Sequence, residues 1–465
     1  MILKKYFGDR AFYKKVIAIA LPIMIQNGIT NFVNMLDNIM VGRIGTEQMS
    51  GVSIANQLFF VFNLCVFGGF SGIGIFTAQY FGKGDIKGVR DSMRFKAIVG
   101  AVLVTLALLI FGFAGEPLIG AFLHDSESGG DLAVTLDYGM RYLRIIMLGI
   151  IPFAVTQMYS STLRETNKTV PPMVFGIVAV FINLILNYLL IFGKLGFPKL
   201  GVEGAAIATV VSRYAECLAI VIWTHKNKAK NEFIVGLYRS FRVPRLVAFE
   251  MAMKGLPLLL NEAMWSMGIT MLSQRFSTRG LDVVGALNIC TTLNNVFNIV
   301  FISLGTAISI IVGNLLGANK MEEARESDTR LLTFTVLSSL VIGTAMASCS
   351  AVFPKIYNTT DSVRSLATFF ILVMAAYMPI SAFINGSYFT LRSGGKTWLT
   401  FAFDSLYVWV VNVLLAFILT KFTSLSIYPI YIICYGIDIL KCISGFLLVR
   451  SDLWMNNLVG EKETK

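Results

Sequence analysis

The sequence predicts an all-α polytopic membrane protein with twelve transmembrane helices, from its composition, the length of its apolar stretches and an internal repeat. Of the 465 residues, 55% are hydrophobic and only 14% are charged, and the mean hydropathy is +0.71. Soluble globular proteins carry about 25% charged residues. The shortage of charge predicts that lipid covers much of the surface.

Apolar stretches long enough to cross a bilayer, about 20 residues each, recur twelve times. We expect each stretch to be a helix, because an unpaired backbone group in lipid costs several kcal/mol. The first stretch is too long and too polar for a cleaved signal peptide, so we expect it to be retained. The predicted spans are 16–41, 53–80, 97–115, 142–163, 171–192, 202–223, 251–274, 284–312, 331–353, 366–390, 398–420 and 426–449.

The distribution of Lys and Arg tests the number of spans and sets the orientation. Of 39 Lys and Arg, 27 fall in the loop set that includes both termini, nine in the opposite set and three within spans. Because positive loops stay inside, this bias predicts a multi-pass protein of the cell membrane, inner or plasma, with both termini in the cytoplasm. The loop 116–137 has no Lys or Arg and is expected outside.

Other function classes find little support in the sequence. The net charge of +12 is compatible with nucleic-acid binding, but the hydropathy excludes that class. The six cysteines form no CxxC pair, and the two histidines, His124 and His225, lie in polar loops. No catalytic or phosphate-binding motif can be assembled. We therefore expect that the protein is not an enzyme and binds no organic cofactor. We expect the lipid bilayer to be its surroundings.

The two halves of the chain can be superimposed at an offset of 235 residues. Between residues 21–82 and 256–317, eleven of 62 columns are identical without a gap, including Pro22/Pro257 and Gly82/Gly317. Each half holds six spans, so the repeats run parallel and are related by an axis along the membrane normal. The predicted organisation is an N-lobe at 1–223, a cytoplasmic linker at 224–250 and a C-lobe at 251–465.

Polar residues inside the first span lie on one side of its helix. On a helical wheel Asp37 shares this side with Asn34 and five further polar residues, and a polar face within the membrane must meet protein or water. The asparagines alone are consistent with hydrogen bonding between packed helices. A charged Asp37 at the helix centre costs about 2.5–3.5 kcal/mol, which favours a functional role.

The second half contributes its own intramembrane candidates. Glu262 and Asp404 are acidic residues within spans. Each either has a role in coupling or in substrate binding, or is paired with another residue inside the helix bundle. Asp438 and Lys441 are three apart, as are Arg213 and Glu216, and each is expected to be a neutralising pair within its own helix, with pairing across the halves as the alternative. Polar columns also repeat between the second and eighth spans, consistent with a shared cleft or with simple helix packing: Ser53/Asn288, Asn56/Thr291, Gln57/Thr292, Asn63/Asn298 and Ser71/Thr306.

The chain resembles the multidrug and toxic compound extrusion (MATE) transporters over nearly its whole length. The motifs that carry the resemblance are Leu21-Pro22, the run from Asp37 to Gly42, the run from Gly82 to Asp85 with its partner at 317–319, the run from Asn183 to Asn187, and the run from Gly201 to Thr209. The resemblance implies a V-shaped pair of six-helix bundles around a central cleft, exporting drugs in exchange for protons or sodium.

The resemblance also assigns roles to particular residues. Asp37 occupies the position of the family's coupling aspartate, and Asn183, Asn187 and Thr209 match its N-lobe cation site, a possible Na⁺ site. Asn187 stands where relatives often have a second aspartate, which weakens the sodium case and leaves proton coupling ahead. The expected residues of the substrate cleft are Asn34, Gln57, Glu262, Asn288, Tyr377 and Asp404.

The predicted function is a secondary active antiporter that exports amphipathic organic cations in exchange for H⁺ or Na⁺, a form of multidrug efflux. The acidic cleft candidates favour cationic cargo electrostatically. The alternative is a flippase of the same superfamily that moves a lipid-linked oligosaccharide or precursor. We expect the protein to act as a monomer and to need no cofactor apart from the coupling ion, H⁺ or Na⁺.

Overall fold

The structure is a computed structural model that describes residues 6–121 and 131–460. The described residues form helices and no β-strand, which confirms the all-α prediction. Part of the loop predicted to be extracellular, residues 122–130, lies outside the described ranges.

Within residues 6–121 and 131–460, twelve long helices carry the fold, and each predicted span falls mainly on one of them. Eleven are long and apolar enough to cross a membrane. The twelfth, Arg245–Ser277, is as long at 33 residues, and the polar Asn261 and Glu262 near its middle lower its hydropathy. The helices are α1 Arg10–Gly42, α2 Thr46–Lys83, α3 Ile86–Gly120, α4 Leu132–Glu165, α5 Val170–Phe192, α6 Val202–Lys226, α7 Arg245–Ser277, α8 Leu281–Gly317, α9 Met321–Cys349, α10 Asp361–Ser393, α11 Thr397–Phe422 and α12 Ile427–Arg450.

Local sequence explains where several helices begin and end. The Asp131 carboxylate accepts hydrogen bonds from the backbone N–H groups of Ala133 and Val134 at 2.9 and 3.2 Å, which caps the start of α4. Helix α5 ends at Gly193, whose φ of 66° is left-handed and favours glycine. In α11 the backbone widens into π-helical turns over Ala402–Leu406 and Val408–Val413, a departure common at functional sites.

The chain divides into two compact units, which we call the N-unit and the C-unit. The N-unit contains Ile25–Thr77 and Ile86–Glu250. Of the described residues, the C-unit contains 6–24, Ala78–Asp85 and 251–460. Helices α1 and α2 are therefore each shared between the units, while the predicted lobe boundaries at 223 and 251 stay a prediction.

The start of α1 belongs to the C-unit because of its apolar periodicity. Val16, Ile19 and Ile23 are at most 3% exposed and form one face of the helix. They lie in a buried cluster with Ile308 and Ile311 of α8. A second cluster in the C-unit centres on aromatic side chains of α10 and α12.

The predicted linker, residues 224–250, belongs to the N-unit and packs against its helix α3. Phe233, Ile234 and Leu237 are buried. The Arg94 guanidinium of α3 donates to the carbonyl oxygens of Leu237 and Gly236 at 3.0 and 2.8 Å. The segment after α6 thus has a fixed path, held by apolar burial and by a basic side chain.

Candidate functional site

In the N-unit, Asp37 meets two asparagines of α5. Asn187 donates from Nδ2 to Asp37 Oδ1 at 2.7 Å. Asn183 and Asn187 are four residues apart, so they lie on the same face of the helix, and both are buried. The partly buried Asp37 carboxylate is thus held by a neutral amide, and none of the ion pairs among the described residues involves it.

The Asn183 amide can take two orientations, and each suits a different state of Asp37. With its nitrogen toward Asp37, it donates to Oδ2 at 2.8 Å and to Oδ1 at 3.2 Å, while its oxygen accepts from Thr209 Oγ1 at 3.3 Å. This arrangement stabilises a carboxylate. With the amide reversed, its oxygen faces Asp37 Oδ2 at the same 2.8 Å, an attractive contact only with a proton or a cation between the two oxygens.

The reversed orientation is also complete at its other end. There Asn183 donates from Nδ2 to Thr209 Oγ1 at 3.3 Å, and the Thr209 hydroxyl donates to the Ala205 carbonyl at 3.0 Å. Thr209 is thus able to serve as acceptor or donor to Asn183, because its hydroxyl has both capacities. The four residues predicted from the family motif come together in one hydrogen-bonded chain.

Sequence reasoning missed one neighbour of this site. Tyr142 of α4 is 5% exposed, donates to Asn56 Oδ1 at 3.1 Å and interacts with Thr209. A single tyrosine in an apolar span has no spacing signal that separates it from lipid-facing aromatic residues. Only the packing of α4 on α6 brings its hydroxyl to the site.

In the C-unit, Asp404 is paired with a lysine from another helix. Lys441 Nζ of α12 lies 2.8 Å from Asp404 Oδ1, and Asn261 of α7 donates to Asp404 Oδ2 at 3.0 Å. Both charged side chains are largely buried, with relative exposures of 6% and 15%. The predicted pair of Asp438 and Lys441 within α12 is therefore wrong: the π-helical stretch of α11 carries the Asp404 carboxylate to the lysine.

Asp438 has neutral partners instead. Its Oδ2 accepts from the Tyr377 hydroxyl at 2.5 Å, and its Oδ1 accepts from Asn412 Nδ2 at 2.9 Å. Tyr377, predicted to line the cleft, is thus committed to a buried hydrogen bond. In the N-unit, the Arg213 guanidinium lies 4.0 Å over the Phe59 ring, and no ion pair among the described residues joins it to Glu216.

Glu262 lies next to this cluster and has no cationic hydrogen-bond partner among the described residues. Its Oε1 accepts from the Tyr388 hydroxyl at 3.1 Å. Its neighbour Asn261 accepts from the Ser405 hydroxyl at 2.7 Å and donates to Asp404, which places the two carboxyls in one polar network. The structure brings Glu262 and Asp404 together: Lys441 pairs with Asp404, and Arg392 of α10 interacts electrostatically with Glu262.

Three of the five repeated polar columns of α2 and α8 occupy equivalent exposed positions. Gln57 and Asn288, both predicted to line the cleft, are exposed, as is Asn34 of α1. An exposed polar side chain in the middle of a membrane helix must face water or a polar cavity. In three of the five repeated pairs both members are exposed: Ser53/Asn288, Asn56/Thr291 and Gln57/Thr292. In the other two pairs, Asn63/Asn298 and Ser71/Thr306, neither member is exposed, and Ser71 is buried.

Long apolar helices that carry buried carboxyls and exposed polar faces at mid-span are typical of a multi-pass membrane transporter of small molecules. The family model described as MatE matches residues 22–189 and 258–418, one match in each half of the repeat. The chain belongs to the MatE family, the multidrug and toxic compound extrusion transporters.

Related proteins extend along almost the whole chain. It is 23% identical over 455 residues to the "Probable multidrug resistance protein NorM" of Thermotoga maritima, covering 97% of this chain and 95% of the relative. It is 25% identical over 446 residues to the protein of the same name from Bacillus subtilis, covering 92% and 93%.

Solved structures share the fold. An outward-facing multidrug resistance MATE family transporter of the MOP superfamily matches with a TM-score of 0.85 and 18% identity over 96% of both chains. A MOP superfamily transporter from Pyrococcus furiosus, whose binding pocket is described as reversed in polarity, matches with a TM-score of 0.82 and 17% identity over 96% of this chain and 97% of that one.

Proposed function

We propose that this transporter is a secondary active antiporter that exports amphipathic organic cations in exchange for protons, with Asp37 as the coupling residue. The names of its relatives, multidrug resistance proteins, support drug efflux as the activity. The observation that carries the coupling assignment is the position of the Asp37 carboxyl against the side-chain amides of Asn187 and Asn183, with no ion pair to it among the described residues.

The exchange follows from the charge of Asp37. In the carboxylate form the site holds one negative charge, with amide donors from α5 as its only hydrogen-bond partners among the described residues, and this charge attracts a cationic cargo. When a proton binds, the charge disappears and the attraction to the cargo is lost. Proton binding and cargo binding therefore compete for one negative charge, and this competition is what an antiporter requires.

The donor arrangement favours a proton over Na⁺. Sodium needs oxygen ligands, and Asn187 turns its N–H group toward Asp37. Asn187 Oδ1 is buried without a hydrogen-bond partner, so rotation of this amide would supply one oxygen ligand. A proton needs no rotation of Asn187 and only reversal of Asn183, which Thr209 accommodates.

The cargo preference rests on the carboxyls that have no lysine or arginine bonded to them. Asp404 is neutralised by Lys441, which removes it from the set of residues that attract a cation. Asp37 keeps this role, because none of the ion pairs among the described residues includes it. Glu262 keeps it in part, because Arg392 of α10 lies close enough to interact with it electrostatically. Two acidic positions, one in each unit, favour an organic cation over an anionic lipid-linked precursor.

The flippase alternative has a specific reason to be tested. A transporter with the same fold is described as having a pocket of reversed polarity and a different function, so the fold alone does not set the cargo. We further propose that the protein acts as a monomer in the cell membrane with both termini in the cytoplasm, as the distribution of Lys and Arg favours.

The test uses purified protein in lipid vesicles. Export is measured with a fluorescent organic cation, first under an imposed pH gradient and then under an imposed sodium gradient. We expect dye movement with the pH gradient and none with sodium alone. Movement of a labelled lipid-linked sugar, without dye transport, would favour the flippase instead.

A further inference from the structure

The ends of α2 and α8 cross with their backbones in contact, in the C-unit. A Cβ atom on Gly82 would lie 1.9 Å from the Asn314 carbonyl oxygen, and a Cβ atom on Gly317 would lie 1.9 Å from the Gln79 carbonyl oxygen. Gly82 and Gly317 are equivalent in the repeat, and so are Gln79 and Asn314. The crossing is therefore two-fold symmetric, and glycine is needed on both sides.

The segment after α12 contacts α2 at this crossing, through Gln79 and Lys83. The segment begins at Trp454, whose side chain is 1% exposed and lies in the apolar cluster of the C-unit. The Trp454 carbonyl oxygen would lie 1.6 Å from a Cβ atom on Gly394, so the two backbones are in close contact there. Arg325 of α9 forms an ion pair with Asp452 just before it. The root of the segment is thus fixed by apolar burial, by a close backbone contact and by an ion pair.

The tip of the segment is fixed differently, by hydrogen bonds to α2. The Gln79 side chain is 0% exposed; its Oε1 accepts from the Leu458 N–H at 2.7 Å, and its Nε2 donates to the Asn456 carbonyl at 3.1 Å. Lys83 donates from Nζ to the Val459 carbonyl at 2.8 Å. Gln79 also donates to the carbonyl of Ser393 at the end of α10 at 3.1 Å, so one side chain joins two helices and the tip.

We propose that residues 456–460 are a latch that holds Ala78–Asp85 of α2 against α8 and that has to release it once in each transport cycle. Helix α2 is continuous, and its residues before Ala78 pack in the N-unit. A rigid helix held at both ends cannot change its tilt, whereas transport requires helices to rearrange around the site. A hydrogen-bonded tip on a buried root suits repeated release, because the root keeps the tip close enough to bind again.

The inference does not depend on the coupling ion, but its transport test rests on the proposed export of an organic cation; the thiol-labelling test below does not. Its test starts from a variant without the six native cysteines, into which Lys83→Cys and Val459→Cys are introduced. A short, reducible bis-methanethiosulfonate reagent joins the two thiols. We expect dye export to fall about tenfold or more when the latch is joined, and to recover on reduction.

The matched control joins the root of the segment, through Arg325→Cys and Asp452→Cys. This cross-link is expected to leave export unchanged, because the root does not move in the proposed cycle. Export at the uncross-linked rate with the tip joined would overturn the proposal and make the segment a static anchor. Recovery on reduction separates a blocked latch from a misfolded protein.

A second variant measures the latch without a transport assay. Gln79→Leu keeps a side chain of similar size and removes the hydrogen bonds to the tip. With Asn457→Cys as the reporter, we expect thiol labelling of the tip to become about tenfold faster or more. The reason is that the two hydrogen bonds lost from Gln79 to the tip together stabilise the bound tip by about a factor of ten or more. Labelling at the unchanged rate would show that Gln79 does not hold the tip and would overturn the proposal.

Discussion

Substitution of Asp37 by asparagine is the sharpest test of the coupling site. Asp37→Asn removes one charge and keeps the shape of the side chain. Its new amide can accept from Asn187 with its oxygen and donate with its nitrogen to the reversed Asn183 oxygen, 2.8 Å away. The variant therefore reproduces the hydrogen bonds of the protonated acid and should be held in that state.

The expected effect on folding is small. The variant loses a charge-assisted hydrogen bond worth about 1.5–3 kcal/mol. It also avoids placing a charge in the membrane, which costs about 2.5–3.5 kcal/mol. The two contributions nearly cancel, so the thermal stability of the purified variant should match that of the wild type within about 1 kcal/mol.

The expected effect on transport is large. Exchange of one proton for one monovalent cation moves no net charge, so the membrane potential contributes nothing and each pH unit supplies about 1.4 kcal/mol. This energy sustains about a tenfold accumulation of cargo for each unit of pH difference. Asp37→Asn should lose the coupled accumulation and leave only the passive distribution of the dye.

The assay compares dye uptake into inside-out vesicles with an acidic lumen, at matched amounts of protein. Asp282→Asn is the control, because it makes the same chemical change at an exposed carboxylate of α8 that accepts from the Ser362 hydroxyl at 2.6 Å. This control should transport normally. Equal, gradient-dependent accumulation by Asp37→Asn and the wild type would refute the coupling role, and Glu262 would then be the next residue to substitute.

Three further predictions concern Thr209, Lys441 and the loop that contains residue 128. Thr209→Ala removes the hydroxyl that completes both orientations of Asn183, and dye transport should fall less than with Asp37→Asn, because only a neutral group is lost. Lys441→Met leaves the Asp404 carboxylate buried without its cation and should destabilise the protein by about 3–5 kcal/mol, whereas the double variant with Asp404→Asn should recover most of this loss in a thermal unfolding assay; equal stability of the single and double variants would contradict the pairing. A cysteine at position 128, in the variant without native cysteines, should react with a membrane-impermeant thiol reagent from outside the cell, and labelling only from inside would overturn the predicted topology.

Much of the fold could be predicted from the sequence because lipid constrains it strongly. Backbone groups in the membrane must be paired within helices, so the apolar stretches indicate their number directly. The repeat was visible in Gly82 and Gly317, whose identity has a physical cause in the contact between two helix backbones. The polar face of the first span correctly predicted that Asp37 meets other polar residues.

The partners of buried charges were harder to predict, because they depend on helix geometry. Lys441 is three residues from Asp438, a spacing that allows contact within a straight helix. The π-helical turns of α11 instead bring the Asp404 carboxylate to Lys441. No local pattern in the sequence indicates such a widened turn. No local pattern indicates the position of the Tyr142 side chain either, because it reaches its site through the packing of α4 on α6.

The division of α1 between two units was also beyond the sequence. The repeat indicates two halves of six spans, yet Val16, Ile19 and Ile23 pack with residues of the second half. A periodic apolar face shows that a helix segment is buried but not which helix buries it. The partner is set by tertiary packing, which the repeat alignment does not contain.

The most direct test of the account is the number of protons released when cargo binds. Purified transporter in weakly buffered detergent solution is mixed with tetraphenylphosphonium, and both the bound cation and the released protons are counted across a range of pH. The account predicts a release that rises to about one proton per bound cation in the wild type and is absent from Asp37→Asn. Cation binding without proton release at any pH, or the same release from both proteins, would contradict competition between proton and cargo at Asp37.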